Sequence, residues 1–370
     1  MRVVLATYTG AGHVLPLARL ADRLRAAGHE AELLSADERA GGRRFATVPR
    51  PPSGRFEDNV DAYGEVLFGE AMATEVRDVA RSVAADIVVA DALAPAALCG
   101  AHASGAAAVV ALNLPYGRLR DELAAGTGWW ASRLGALDTV RRALGLDPYV
   151  NALDSWERCE RMLLLGIPDL EPPGTTRPDH LRFVGPCLPL PAEPATGPRP
   201  APATGDGSPP RVVVSLSSSD MGHERVLHAV LSALGALDVT VVASTAGVVD
   251  ASRLDLPANV ELHDWLPLPE ALADAAAAVT HGGHGTVMAA LAAGVPLVCV
   301  PLGRDQPSTA ARLEALGAGR TASPDTVAAA VATTIIDEGQ RAAALRLRAR
   351  LAALAGAPGS ALDGLARTTT

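Results

Sequence analysis

The sequence predicts two doubly wound α/β domains with parallel sheets, and three observations carry that prediction. The first is length: 370 residues at roughly 150 per domain leave room for two. The second is repetition. Residues 2–7 (RVVLAT) form a continuous apolar, β-branched run, followed by glycines and an amphipathic helix expected at 15–27. Residues 211–217 (RVVVSLS) open the second half in the same way, with a helix expected at 224–234. A buried run, a polar turn and a helix in that order signal a parallel sheet. The third is the boundary. Nine of the 28 prolines fall within residues 186–210 among Gly, Ala and Thr, a composition that makes an extended linker and no core. The expected domains are 1–188 and 211–370, joined by a linker at 189–210 and facing across a cleft, with room for the final helix to pack back on the first.

The remaining elements follow the same rhythm. In the first half, strands are expected at 31–34, 87–90 and 107–112, with a helix at 92–103. In the second, strands fall at 239–243, 260–262, 277–280 and 297–300, with helices at 286–293 and 307–316 and a long helical stretch at 342–366. Residues 117–161 stand outside the rhythm: helical, rich in Arg, and carrying Trp129, Trp130 and Trp156. A long insertion after the C-terminal end of a strand is where such a domain builds binding specificity. Those tryptophans either line an apolar pocket or pack helices together.

Composition narrows the function. At 49% hydrophobic and 20% charged residues, the chain can bury a core in each domain and is not a wholly disordered one. Its 32 basic residues are all Arg, so a P-loop lysine or a Schiff-base lysine is impossible. The net charge of −9 gives no basic footprint for nucleic acid. Cys99, Cys159, Cys187 and Cys299 lie far apart, without zinc spacing, and read as small buried hydrophobes in a reducing compartment. The opening MRVVLATYTG lacks a signal h-region and a cleavage site. Residues 92–117 and 275–303 carry no Asp, Glu or Arg, yet their glycines, prolines and histidines fit buried strand–helix–strand units better than membrane spans. A cytoplasmic protein without a membrane span is expected.

Candidate chemistry gathers at strand ends. Thr9-Gly10-Ala11-Gly12-His13 follows the first strand, but the third glycine of a dinucleotide fingerprint is replaced by Leu15. His13 sits at the C-terminal edge of the sheet, where open α/β sheets bind ligands; it is a general base or a helix-capping surface residue. Asp91 ends the run at 87–90 and either caps the next helix or holds the His13 imidazole. In the second half, Thr280-His281-Gly282-Gly283-His284-Gly285-Thr286 joins a buried strand to a helix and forms an anion cradle of backbone N–H groups. Ser217, Ser218 and Ser219 offer hydroxyls on the same edge. Trp265 stacks on a nucleobase or packs in the core. Asp305 and Gln306 suit vicinal hydroxyls of a sugar, or cap a helix. No metal-ligand cluster is visible.

Taken together, Gly12-His13, Asp91, Asp264-Trp265-Leu266-Pro267, His281-Gly-Gly-x-Gly-Thr286, Ala292-Ala-Gly-Val-Pro296 and Asp305-Gln306 resemble a family 1 glycosyltransferase of the GT-B fold. The likeness spans nearly the whole chain and is greatest to bacterial enzymes that decorate natural products. It implies an inverting, metal-independent transfer of a deoxysugar from a nucleotide sugar to a small apolar aglycone, with no cofactor beyond the donor itself. It implies His13 as base and Asp91 as its orienting partner. Ser217, Ser218, Trp265, Leu266, His281, Gly283, Gly285, Thr286, Asp305 and Gln306 would hold the donor. Gly12, Asn113, Trp129 and Trp130 would meet the acceptor, in a monomer or homodimer. Three departures stand out: Leu268 replaces the Gln that usually follows Trp-x-Pro, Ser217 replaces a common Gly, and Ala289 replaces the Glu with which plant members grip both ribose hydroxyls. The last leans towards dTDP, whose sugar lacks the 2′-OH. A nucleotide-sugar 2-epimerase shares the fold and the donor half, and a non-catalytic auxiliary homologue keeps the fold alone.

Overall fold

The continuous apolar runs become the inner strands of two parallel sheets. The computed structural model describes residues 1–8, 11–37, 41–50, 55–187, 208–354 and 362. The chain divides into one unit of Met1–Cys187 with Leu354–Thr370 and a second of Leu188–Ala353.

In the first unit the order is β1 (Arg2–Ala6), α1 (Ala11–Ala26), β2 (Glu30–Ser35), β3 (Arg43–Arg44), α2 (Val60–Leu67), α3 (Glu70–Ser82), β4 (Ile87–Asp91), α4 (Pro95–Ser104) and β5 (Ala107–Leu112). There follow α5 (Tyr116–Ala125), α6 (Gly128–Ala131), α7 (Leu134–Ala143), α8 (Asp154–Glu157), β6 (Arg161–Leu164) and β7 (Leu181–Phe183). Among the described residues the strands lie in the order β3-β2-β1-β4-β5-β6-β7, with every pairing parallel. Both faces are covered, which is why β4 up to Ala90 and β5 throughout are apolar, and both strands are buried along their whole length. Val4, Val88 and Val110 join Met72, Val76 and Leu98 in one core layer. Val3, Leu5 and Val89 meet Leu17, Leu20 and Leu24 in the other, which also takes in Leu362.

The second unit runs β8 (Arg211–Ser215), α9 (Glu224–Leu234), β9 (Thr240–Ser244), β10 (Val260–His263), α10 (Leu268–Ala271), β11 (Ala275–Thr280), α11 (His284–Ala293), β12 (Leu297–Cys299), α12 (Gln306–Ala315), β13 (Gly319–Thr321), α13 (Val327–Ile336) and α14 (Glu338–Leu354). Its described strands lie in the order β10-β9-β8-β11-β12-β13, again all parallel. Each sheet therefore reverses direction next to its first strand, at the β1/β4 and β8/β11 junctions, the switch points where such sheets bind ligands.

Some expected boundaries move. The helix expected at 92–103 starts at Pro95, because Asp91–Ala94 closes a turn in which the Ala94 N–H donates to the Asp91 carbonyl at 2.9 Å. The long final helix starts earlier than expected and is described over Glu338–Leu354. The rest of the expected helix apart from Leu362, the linker residues 188–207, and Thr9 and Gly10 of the first glycine loop lie outside the described residues. The insertion at 117–161 is helical as expected, and its first helix α5 is pinned by Glu171, whose carboxylate accepts the backbone N–H groups of Tyr116 and Gly117 at 2.8 and 2.9 Å.

Candidate active site

Three neighbouring strand ends build the site of the first unit. Thr7 follows β1, Asp91 ends β4 and Asn113 follows β5; His13 projects from the first turn of α1. His13 Nδ1 lies 3.1 Å from Asp91 Oδ2, with the His13 side chain 28% exposed and that of Asp91 only 3%. The same Oδ2 accepts the Thr7 hydroxyl at 2.9 Å, while Oδ1 accepts the Leu93 N–H at 2.8 Å. Asp91 thus does both things its position allows: one oxygen organises the turn into α4 and the other holds the imidazole. Burial alone pushes its carboxyl up. The His13 charge and hydrogen bond, with the Leu93 and Thr7 donors, outweigh that and hold it below the ordinary carboxylate range. Buried Asn113 brings its Nδ2 to 3.5 Å from the same imidazole nitrogen. Gly12 is exposed beside His13.

The tryptophans separate by burial. Trp156 is wholly buried and donates its indole N–H to the Ala92 carbonyl at 3.1 Å, so it braces the turn after Asp91 and does not line a pocket. Trp130 is likewise buried and packs in an aromatic cluster, its ring 5.3 Å from Phe68 and 6.4 Å from Trp156. Trp129 is the partly exposed one. It stacks edge-on to Phe56 and Phe68, with the Arg133 guanidinium 4.7 Å from its ring, and its buried indole nitrogen has no hydrogen-bond partner.

In the second unit the residues expected to hold a donor lie in the loops after β8, β10, β11 and β12. Gly283 sits before α11, and a Cβ there would collide with His281 Nε2, so only glycine lets the ring lie over the helix start. Gly282 has φ +93°, and its missing Cβ would stand 3.2 Å from the Gln306 carbonyl. Gly285 and Thr286 are half-buried in the first turn of α11. His281, 9% exposed, is pushed down to about 3 by burial and by the nearby His223 and Arg304. Ser217 is buried and its hydroxyl accepts the Ser219 N–H at 3.0 Å, which shapes the loop; Ser218 is half-buried. Trp265 is 50% exposed and therefore not a core residue, while Leu266 turns its side chain inward.

The expected Asp305-Gln306 pair splits. Asp305 is half-buried, but Gln306 is buried and its Oε1 accepts the Leu302 and Gly303 N–H groups at 2.7 and 3.1 Å. Its Nε2 reaches Met221 Sδ at 3.5 Å. That amide ties loops together in the ligand-free chain. His223 and Arg304 were missed by sequence reasoning. Position was their one signal, since each lies in a loop that leaves a strand's C-terminal end.

Comparison with known proteins decides the family. The model of the erythromycin biosynthesis protein CIII-like C-terminal domain matches residues 228–359. The 4′-demethylrebeccamycin synthase of Lentzea aerocolonigenes is 30% identical over 409 residues, covering 95% of this chain and 96% of that protein. The chain belongs to the family 1 glycosyltransferases. This glycosyltransferase is of the natural-product biosynthesis type, and its fold is GT-B. The kitacinnamycin glycotransferase structure matches it with a TM-score of 0.78 and 26% identity over 97% of each chain. The glycosyltransferase VinC, solved in complex with dTDP, matches with a TM-score of 0.72 and 25% identity over 98% of each. Among the described residues no helix of the glycosyltransferase is long and apolar enough to cross a membrane.

Proposed function

We propose that the enzyme moves a sugar, of the deoxysugar class, from a nucleoside diphosphate to a small apolar acceptor, with inversion at the anomeric carbon and His13 as base. The observation that carries this reading is the His13–Asp91 pair at 3.1 Å. Because Asp91 Oδ2 accepts from Nδ1, the neutral ring keeps its lone pair on Nε2, the tautomer a base needs. Nε2 takes the proton of an acceptor hydroxyl as its oxygen bonds to the anomeric carbon. The bond from that carbon to the diphosphate oxygen breaks, and the electron pair leaves with the diphosphate. The backbone N–H groups at the start of α11 and the His281 ring meet the growing negative charge. The exposed Trp265 ring supports stacking on the nucleobase. Ala289 offers a methyl group and no carboxylate for a ribose 2′-OH, which favours dTDP; the neighbour VinC was solved with that nucleotide.

The test is transfer from a dTDP-sugar by wild type and by His13→Ala, with product stereochemistry read by NMR. His13→Ala is expected to lower the rate by about 10²–10⁴, the usual share of a general base, while dTDP affinity stays near wild type. A phenolic acceptor of low pKa should recover part of the loss. Undiminished activity on an aliphatic alcohol would remove His13 from this role, and turnover of the nucleotide sugar without any acceptor would favour the epimerase. At equal concentration dTDP should raise the melting temperature at least as much as UDP, since the tighter ligand stabilises more.

A further inference from the structure

Two buried imidazoles in the second unit have ring nitrogens without partners, and the function so far uses one of them. His223 is 2% exposed and His281 9%, and the Nδ1 of each is buried with no hydrogen-bond partner. Unpaired buried polar atoms are scarce in folded proteins, and two in one loop cluster call for a ligand. His223 occupies the N-cap position of the eleven-residue helix α9, yet its side chain caps nothing. The loops concerned are stitched together: Gln306 binds Met221, two residues before His223, and its carbonyl lies against Gly282, next to His281.

We propose that His223 is a second imidazole ligand of the donor's diphosphate, paired with His281, and that the pair takes up a proton when the diphosphate binds. The inference rests on the nucleotide-sugar reading above. The charges around the pair favour an anion. His223 and Arg304 both lower the proton affinity of His281, so a proton gained by one ring faces the other ring and a guanidinium. Asp220, on the loop of His223, opposes this in part, and burial of His223 outweighs it. Glu224, Arg225, His284 and Asp305 are the remaining titratable groups of these loops and of the helix starts that follow. A bound diphosphate brings several negative charges and many acceptor oxygens into that cluster, which turns mutual repulsion into attraction and favours a protonated ring.

Calorimetry of dTDP and of thymidine binding to the full chain, in two buffers of different ionisation heat at one pH, tests this with wild type, His223→Ala and His223→Asn. Comparing variants at one pH cancels the ionisation of dTDP itself. His223→Ala is expected to weaken dTDP binding about tenfold or more, as for loss of a hydrogen bond to a charged group. It should also reduce the protons taken up per dTDP, and leave thymidine affinity unchanged. His223→Asn keeps N–H donors in its amide but cannot gain a proton, so it should regain affinity without regaining the uptake. Equal dTDP affinity and proton uptake in all three overturns the inference alone. Equal losses of thymidine and dTDP binding also overturn it, because they mark a structural role. A wild-type chain that binds neither dTDP nor UDP overturns the donor-site reading, and this inference with it.

Discussion

Asp91 is a case in which partners beat burial. A carboxylate without water is driven towards its neutral form, but the His13 charge, the Leu93 N–H and the Thr7 hydroxyl together keep this one ionised. Its folded value lies below the unfolded one of about 3.9. The ionised form therefore adds stability that is present above the unfolded value and is lost as pH falls through the folded one. Asp91→Asn removes that contribution, so denaturant melts between pH 7 and pH 3 should fall less steeply for the variant than for wild type. The same change lets an amide N–H face Nδ1, which favours the wrong tautomer. Transfer should slow by less than in His13→Ala, and the double variant should be little worse than His13→Ala alone, because the two act as a unit. Strictly additive losses would break the pairing.

Elements hold such residues in place, and the turn between β4 and α4 shows how. Trp156, on α8 in the helical insertion, is wholly buried and donates to the Ala92 carbonyl, one residue past Asp91. Trp156→Phe keeps an aromatic ring but strands that carbonyl, at a cost of about 1–3 kcal/mol. We expect a lower melting temperature and a reduced transfer rate, with dTDP affinity unchanged; a rate equal to wild type would show that the turn needs no brace. The brace was not legible in the sequence, because it depends on a contact between residues 64 apart in the chain. The strands that carry the site were legible, since β1, β4, β5, β8 and β11 are apolar runs buried on both faces. The outer strands were not. β3 is two exposed arginines, β13 reads GRT, and β7 reads LRF, none of which has a hydrophobic pattern. His13 and Asp91 could be found because they sit at the ends of legible strands, whereas His223 lies at the end of a polar loop, and the contact of Gln306 with Met221 joins residues 85 apart.

At the scale of the whole molecule, the two sheets share one strand order, so the repeated strand–turn–helix opening of each half had a structural meaning. The division of the chain is less simple than a cut at the linker, because Leu354–Thr370 returns to the first unit. Leu362 is fully buried there among Val3, Leu5, Leu20, Val184 and Cys187, so it joins a core layer begun by the first strand. Leu362→Ala should therefore destabilise the first unit by about 2–5 kcal/mol, the usual cost of emptying a buried leucine site. Trp129, Trp130 and Trp156 belong to that unit and Trp265 to the other, so tryptophan fluorescence weights the first unit's transition. Chains of two units need not melt in one step, and the two transitions can be followed separately. In Leu362→Ala the fluorescence transition should move to lower temperature. Affinity for dTDP below that transition should match wild type, because the proposed nucleotide ligands lie in the second unit. An unshifted fluorescence transition would mean that Leu362 adds nothing to the first core. A loss of dTDP affinity in step with the lost stability would mean that the first core supports the nucleotide site.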